Sequence, residues 1–202
     1  MMKRLLLLTA YFIFLTGIVS ATEGSPVGAA EGSVAEGGAA GGDWTVINSS
    51  YATIYVQNSV DLKSTVRKID VDFARYDPVE KKLFLDRTIS DTNELANKID
   101  ILARKARKIL DMYPPGFKIN IKIYDNQEAL NDIYKEIFEE EADHKAFYVH
   151  KFHTIYISFS NLSESVLAHE IGHAIIDAYF TISPPPKIKE LLACYVDLHL
   201  RD

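Results

Sequence analysis

Cysteine is almost absent from this sequence, because Cys194 is the only one among 202 residues. A single cysteine excludes an intramolecular disulfide, so the fold must be stabilised by packing, and by a metal ion if one is bound. Strong positive charge is also lacking, since the formal net charge is -6. This mild acidity argues against nucleic acid as a partner.

Long apolar runs are scarce too, and the one present, Leu5 to Val19, follows Lys3 and Arg4. About 15 apolar residues are too few for a comfortable bilayer span, but they suit the apolar region of an export signal. Val19-Ser20-Ala21 provides the small residues that a signal peptidase reads. We therefore expect residues 1–21 to be a cleaved signal peptide. The mature chain is expected in the periplasm or outside the cell, with no stable membrane span.

Glycine is concentrated in one segment. Residues 22–43 hold seven of the ten glycines and five alanines, with no lysine or arginine. Such a segment cannot bury enough apolar surface to fold, so we expect a flexible linker. The remaining residues, 44–202, are enough for one hydrophobic core and too few for two, which predicts one domain.

Within residues 44–202, the apolar spacing changes repeatedly between strand and helix periods. The spacing predicts strands over 51–57, 118–124, 146–150 and 153–159, and helices over 61–68, 91–112, 126–141 and 187–200. A further strand is expected where Ile69, Val71 and Phe73 alternate with charged residues, turning at Asp77-Pro78 towards 82–87. Asp91 and Glu94 have the spacing of a capping box. This order of elements favours an α+β fold with a small mixed sheet.

The most informative stretch is Leu167 to Ala178, which reads Leu-Ala-His-Glu-Ile-Gly-His-Ala-Ile-Ile-Asp-Ala. Apolar residues recur in it at helical spacing, and Ser163 or Asn161 is placed to cap the helix start. His169 and His173 are four residues apart, so both imidazoles leave the same face of that helix. A catalytic zinc needs two such nitrogen ligands and a nearby carboxylate, here Glu170, to accept a proton from a metal-activated water. The stretch therefore predicts one Zn²⁺ per chain.

A catalytic zinc site needs a third protein ligand, for which Asp177, Cys194 and Glu190 are the candidates. Asp177 lies about 12 Å along the helix axis from His169, too far for a short side chain. Cys194 is one turn after Glu190, and a thiolate added to two histidines and Glu190 would fill the position that catalysis needs open. Glu190 begins the helix after the Ser183–Pro186 connector, 17 residues past His173. We choose Glu190.

At these residues the chain resembles a known family. His169-Glu170-Ile171-Gly172-His173, followed by Glu190-Leu191-Leu192-Ala193-Cys194-Tyr195-Val196-Asp197, resembles the gluzincin zinc metallopeptidases, in which a glutamate on a downstream helix is the third ligand. The resemblance covers residues 118–202 well and 44–116 loosely. It implies a zincin-like fold, in which an active-site helix lies beneath the mixed sheet and a C-terminal helix returns against it.

Carried over to this chain, the resemblance implies His169, His173 and Glu190 as zinc ligands and Glu170 as the general base. It also implies that the arm from Ala146 to His150 is the edge strand with which a peptide substrate pairs. A metzincin assignment fails, because that pattern has glycine and histidine where this chain has Ile176 and Tyr179.

The chain departs from the gluzincin pattern in two places. Many gluzincins have an aspartate four residues after the third ligand, where this chain has Cys194, so Asp177 or Asp197 is expected to orient a ligand histidine. Because only 12 residues follow Glu190 in this sequence, we do not expect the subdomain that often supplies an oxyanion-stabilising side chain. Three residues of the predicted hairpin are the candidates for that role or for substrate contact: Tyr148, His150 and His153.

The expected function is that of an exported zinc metallopeptidase, a hydrolase that cleaves peptide or protein substrates with a metal-activated water. One alternative is a catalytically silent zinc-binding domain that acts as a binding module at the cell envelope. Another is a structural domain in which Cys194 closes the zinc site.

Overall fold

A computed structural model describes residues 43–71 and 90–201. The predicted signal peptide, nearly all of the predicted linker and the predicted strand at 82–87 lie outside the described residues. Within them, no helix is both long enough and apolar enough to cross a membrane.

Five strands form one mixed sheet. They are β1 (Trp44–Asn48), β2 (Ala52–Gln57), β3 (Ile119–Tyr124), β4 (Ala146–Val149) and β5 (Thr154–Ser158). Their order across the sheet is β1-β2-β3-β5-β4. The central strands β2, β3 and β5 are parallel, whereas β1 and β4 are antiparallel to their neighbours and lie at the two edges of the described sheet.

The described residues also form five α-helices. They are α1 (Leu62–Lys68), α2 (Asp91–Leu110), α3 (Gln127–Phe138), α4 (Glu164–Tyr179) and α5 (Pro186–His199). Side-chain caps fix the starts of four of them, because Asp61, Ser90, Asn126 and Ser163 each accept a hydrogen bond from a backbone N–H of the first turn. The fifth, α5, begins with Pro186 in its first turn, where the missing N–H costs nothing.

Alternate residues of the strands point to opposite faces of the sheet, and each face packs against different helices. One face carries Ile54, Ile121 and Ile155, which join residues of α2 and α4 in the main hydrophobic core. The opposite face carries Phe147 and Tyr156, which pack against α3. The structure is thus α+β, and α4, which contains the two histidines, lies on one face of the sheet.

Most predicted elements are confirmed within a few residues, but one strand was not predicted and two local predictions are wrong. Trp44–Asn48 is a strand that the spacing did not predict. The strand predicted through Ile69 and Val71 does not begin there, because Ile69 caps the end of α1 and Val71 follows it outside any strand, while the rest of that prediction, from residue 72, lies outside the described residues. The cap of α2 is Ser90, whose hydroxyl accepts from the N–H of Asn93, so Asp91 is already inside the helix and forms no capping box.

Candidate metal centre

The helix α4 is held in place by its apolar face. Leu167, Ile171 and Ile175 are completely buried in the main core. His169 and His173 leave the helix on another side and remain about one-fifth exposed, with side-chain exposures of 22% and 20%. The burial pattern of this helix therefore orients both imidazoles towards α5.

The helices α4 and α5 approach each other closely at Gly172. A Cβ atom added at Gly172 would lie 3.3 Å from Cγ2 of Val196 and 3.4 Å from Cα of Ala193. Both of these residues are fully buried on α5. The glycine between the two histidines therefore lets α5 come close enough for its side chains to meet theirs.

Gly172→Val is expected to lower the free energy of unfolding by about 1–3 kcal/mol, because the added methyl groups overfill this contact. Urea unfolding of the metal-free chain measures the loss. Ala178→Val is the matched control, since Ala178 is exposed on the same helix and the change should cost less than about 0.7 kcal/mol in helix propensity. Equal losses in the two variants would show that the close approach does not limit packing.

Glu190 of α5 meets both histidines. Its Oε1 lies 3.4 Å from Nε2 of His169, and its Oε2 lies 3.4 Å from Nε2 of His173. The two Nε2 atoms are 3.2 Å apart. A tetrahedral zinc with bonds of about 2.0 to 2.1 Å to nitrogen and oxygen has ligand atoms about 3.3 Å apart. Each histidine nitrogen is thus at the spacing of zinc ligands from the other nitrogen and from one oxygen of Glu190, and the two histidines contact different oxygens of that carboxylate. The packing of α4 and α5 therefore brings the three candidate ligands together at the spacing of a zinc site.

Cys194 is a fourth side chain near this site that is of a type able to bind metal ions. Its Sγ lies 3.6 Å from Oε1 of Glu190. The ligand atoms of His169, Glu190 and Cys194 all lie within 4.8 Å of one another. The cysteine predicted to be one turn from Glu190 is therefore next to the candidate ligands.

Three pKa shifts describe the charges of these groups in the protein alone. Burial, followed by the charge of His173, lowers the pKa of His169, which favours the neutral imidazole that ligates metals. The hydrogen bond with His173, followed by the charge of His169, lowers the pKa of Glu190 to about 2. Burial, followed by the charge of Glu190, raises the pKa of the Cys194 thiol to about 11. Glu190 is thus an anion at neutral pH, as a metal ligand must be.

Glu170 is not one of these three candidate ligands. Its side chain is buried, and its carboxylate accepts a hydrogen bond from the backbone N–H of Tyr148 in β4. Burial raises the pKa of Glu170 to about 7, and the nearby charge of His173 opposes this rise. The carboxylate therefore lies between α4 and the edge strand β4. It is close enough to the candidate ligands for their charges to change its pKa.

Asp177 is connected to the hairpin rather than to a candidate ligand. Its carboxylate lies 3.2 Å from Nδ1 of His150 and 3.4 Å from Nζ of Lys189, and it accepts a hydrogen bond from Ser183. These contacts tie the end of α4 to α5 and to the residues after β4. Asp177 was expected to be one of two residues that orient a ligand histidine, but its contacts in the described structure lie elsewhere.

Asp197, the other expected orienting residue, accepts a hydrogen bond from the hydroxyl of Ser165 on α4. Its charge also raises the pKa of His169, which places it near that imidazole. Ser165 and Lys189 were not singled out from the sequence. No local pattern marks them, because each meets its partner only through the packing of α5 on α4.

The three hairpin candidates lie close together, Tyr148 within β4 and His150 and His153 in the connection that follows it. The hydroxyl of Tyr148 is 3.4 Å from Nδ1 of His153, and the rings of His150 and His153 are 5.7 Å apart. Burial, followed by the charge of Asp177, raises the pKa of Tyr148. Among the contacts of the described residues, His150 reaches Asp177, and Tyr148 reaches Glu170 through its backbone.

Comparison of the chain with protein-family models, with curated proteins and with solved structures found no match.

Proposed function

We propose that this chain is a zinc-dependent metallopeptidase of the gluzincin type. The observation that carries the proposal is the convergence of His169, His173 and Glu190, with three ligand-atom separations of 3.2 to 3.4 Å. Two nitrogens and one carboxylate are the ligand set of catalytic zinc sites, which leave one position for water or substrate.

The arrangement around these ligands supports the same reading. The helix with both histidines lies on one face of a mixed sheet, and a C-terminal helix returns against it with the third candidate ligand. The terminal strand β4 runs beside this helix, since its Tyr148 N–H reaches Glu170. We propose a zincin-like fold in which an extended peptide adds to the outer edge of β4.

Each group then has a distinct task. A bound zinc supplies Lewis acidity, which lowers the pKa of a water molecule and polarises a peptide carbonyl. The Glu170 carboxylate accepts the proton of that water and returns it to the departing amine. The N–H of Tyr148 favours the ionised form of this carboxylate, and the buried surroundings keep its basicity near neutral pH. His150, positioned by Asp177, is the candidate donor to the developing oxyanion.

The apolar segment near the N-terminus, Leu5 to Val19, bears on where the protein acts. Such a segment is typical of export signals, so we propose that the peptidase acts in the periplasm or outside the cell.

The test is metal content and chelator-sensitive cleavage. The full chain, purified without chelators, is expected to contain one zinc by elemental analysis and to cleave an unfolded protein. A zinc chelator should stop cleavage, and added Zn²⁺ should restore it. Protein that neither contains zinc nor takes it up would contradict the metal centre, whereas zinc-loaded protein that cleaves neither unfolded protein nor short peptides would contradict the peptidase activity alone.

A further inference from the structure

Cys194 occupies a place in the metal centre that the proposed peptidase mechanism does not use. The thiol is on the same side of α5 as Glu190, one helical turn further on, with Sγ 3.6 Å from Oε1. Two pairs of side chains at four-residue spacing therefore face each other, His169 and His173 from α4 and Glu190 and Cys194 from α5. The cysteine is one member of this converging cluster.

The distances suit a fourth ligand. With a zinc–sulfur bond of about 2.3 Å and a zinc–oxygen bond of about 2.0 Å, sulfur and oxygen are about 3.5 Å apart in a tetrahedral site. The observed separation of Sγ and Oε1 is 3.6 Å. The sulfur is also within 4.8 Å of the ligand atom of His169.

The charges also balance. The carboxylate and the thiolate carry two negative charges together and the two imidazoles are neutral, so the four ligands neutralise the charge of Zn²⁺. A thiolate is a preferred zinc ligand, and it is the softest donor in this cluster.

We propose that Cys194 is a fourth protein ligand of the metal centre, so that the site is closed in its resting state and opens when water or substrate takes the place of the thiolate, which takes up a proton from solvent. This inference rests on the proposed zinc centre. A four-ligand site has no position for water or substrate. The chain is therefore a latent peptidase, and the state of one thiol controls access to its metal.

The competing explanation is that the Cys194 thiol only donates a hydrogen bond to Glu190. The two explanations differ in whether sulfur touches the metal. Cobalt(II) separates them, because it takes the place of zinc and its thiolate complexes have an intense charge-transfer absorption in the near ultraviolet. Its weaker visible bands report tetrahedral binding with or without sulfur.

The experiment titrates Co²⁺ alone into the metal-free full chain and into Cys194→Ser. The parent is expected to show both the near-ultraviolet and the visible bands, and Cys194→Ser to keep the visible bands and lose the near-ultraviolet band. Cys194→Ala should behave like Cys194→Ser. Proton release in weakly buffered solution gives a second readout, since a ligating thiol loses its proton on metal binding. The parent should release one more proton per metal than either variant.

A parent that binds Co²⁺ without the near-ultraviolet band would overturn the proposal and leave the three-ligand centre intact. A chain that binds no Co²⁺ at all would overturn both. At equal zinc loading, Cys194→Ser is expected to cleave unfolded protein faster than the parent, and equal or slower cleavage would contradict the resting closed state.

Discussion

Glu190→Ala is expected to lose zinc at concentrations at which the parent chain is fully loaded. The change removes the only carboxylate that contacts both histidine Nε2 atoms in the described structure. It also removes the ligand that α5 contributes opposite the histidine pair of α4. Replacing a residue that only supports a ligand already weakens metal affinity by about 10- to 100-fold, so loss of a ligand should exceed that range.

Competition with a chromophoric chelator measures this affinity. Lys187→Ala is the control for the helix, because Lys187 is exposed in the first turn of α5. Cys194→Ser keeps three ligands and is expected to hold zinc at concentrations at which Glu190→Ala does not. Equal zinc affinity in Glu190→Ala and the parent would remove the gluzincin assignment, while the α+β fold would stand.

The affinity should also fall on acidification. Both histidines must be neutral to bind zinc, and protons compete for the same nitrogens. Burial lowers the pKa of His169, so this imidazole remains available to somewhat lower pH than a free histidine. Measuring zinc affinity at several pH values tests the trend.

The parts of the fold that the sequence predicts are those with a strong local pattern. α4 has a Ser163 cap and an apolar stripe, and both are visible in the sequence and present in the structure. The hairpin formed by β4 and β5 was predicted for the same reason, because two short apolar runs flank a two-residue connection. Local spacing also places His169 and His173 on one side of one helix.

The parts that the sequence misses depend on contacts between distant residues. β1 has a single buried residue, Ile47, so its sequence has no full alternation to reveal it. It becomes a strand because its backbone pairs with β2. Likewise, Asp177 is one helical turn past His173, and only the packing of the hairpin and α5 shows that it meets His150 and Lys189.

The position of the third candidate ligand, Glu190, could be predicted only in part from the sequence. The segment between His173 and Glu190 is long enough for a second helix to pack back against the histidines. The sequence alone does not show that Glu190 then faces them. What brings it there is the close approach of α4 and α5 at Gly172, a contact between Gly172, Ala193 and Val196. The sequence contains the small residues for this contact, but their facing positions become visible only when both helices are packed.

Glu170→Gln is expected to keep zinc and to lower peptide hydrolysis by about 10²- to 10⁴-fold, the usual contribution of a general base. The amide has the size of the carboxylate and still accepts the N–H of Tyr148 through its oxygen, but it cannot accept a proton. Elemental analysis and cleavage of an unfolded protein measure the two properties on the same sample. Glu164→Gln, in the first turn of the same helix, is the matched control and should hydrolyse at the parent rate.

The free energy of unfolding shows whether Glu170→Gln is inactive because it lacks the general base or because it does not fold. Burial raises the folded-state pKa of Glu170 from 4.5 to about 7, so in the metal-free chain the parent loses stability as pH rises through this range, because ionisation favours the unfolded state. Glutamine does not titrate. The free energy of unfolding of metal-free Glu170→Gln, relative to the parent, should therefore increase between about pH 5 and pH 8. A folded, zinc-loaded Glu170→Gln that hydrolyses as fast as the parent would remove Glu170 as the base, and the proton would then have to pass to another group.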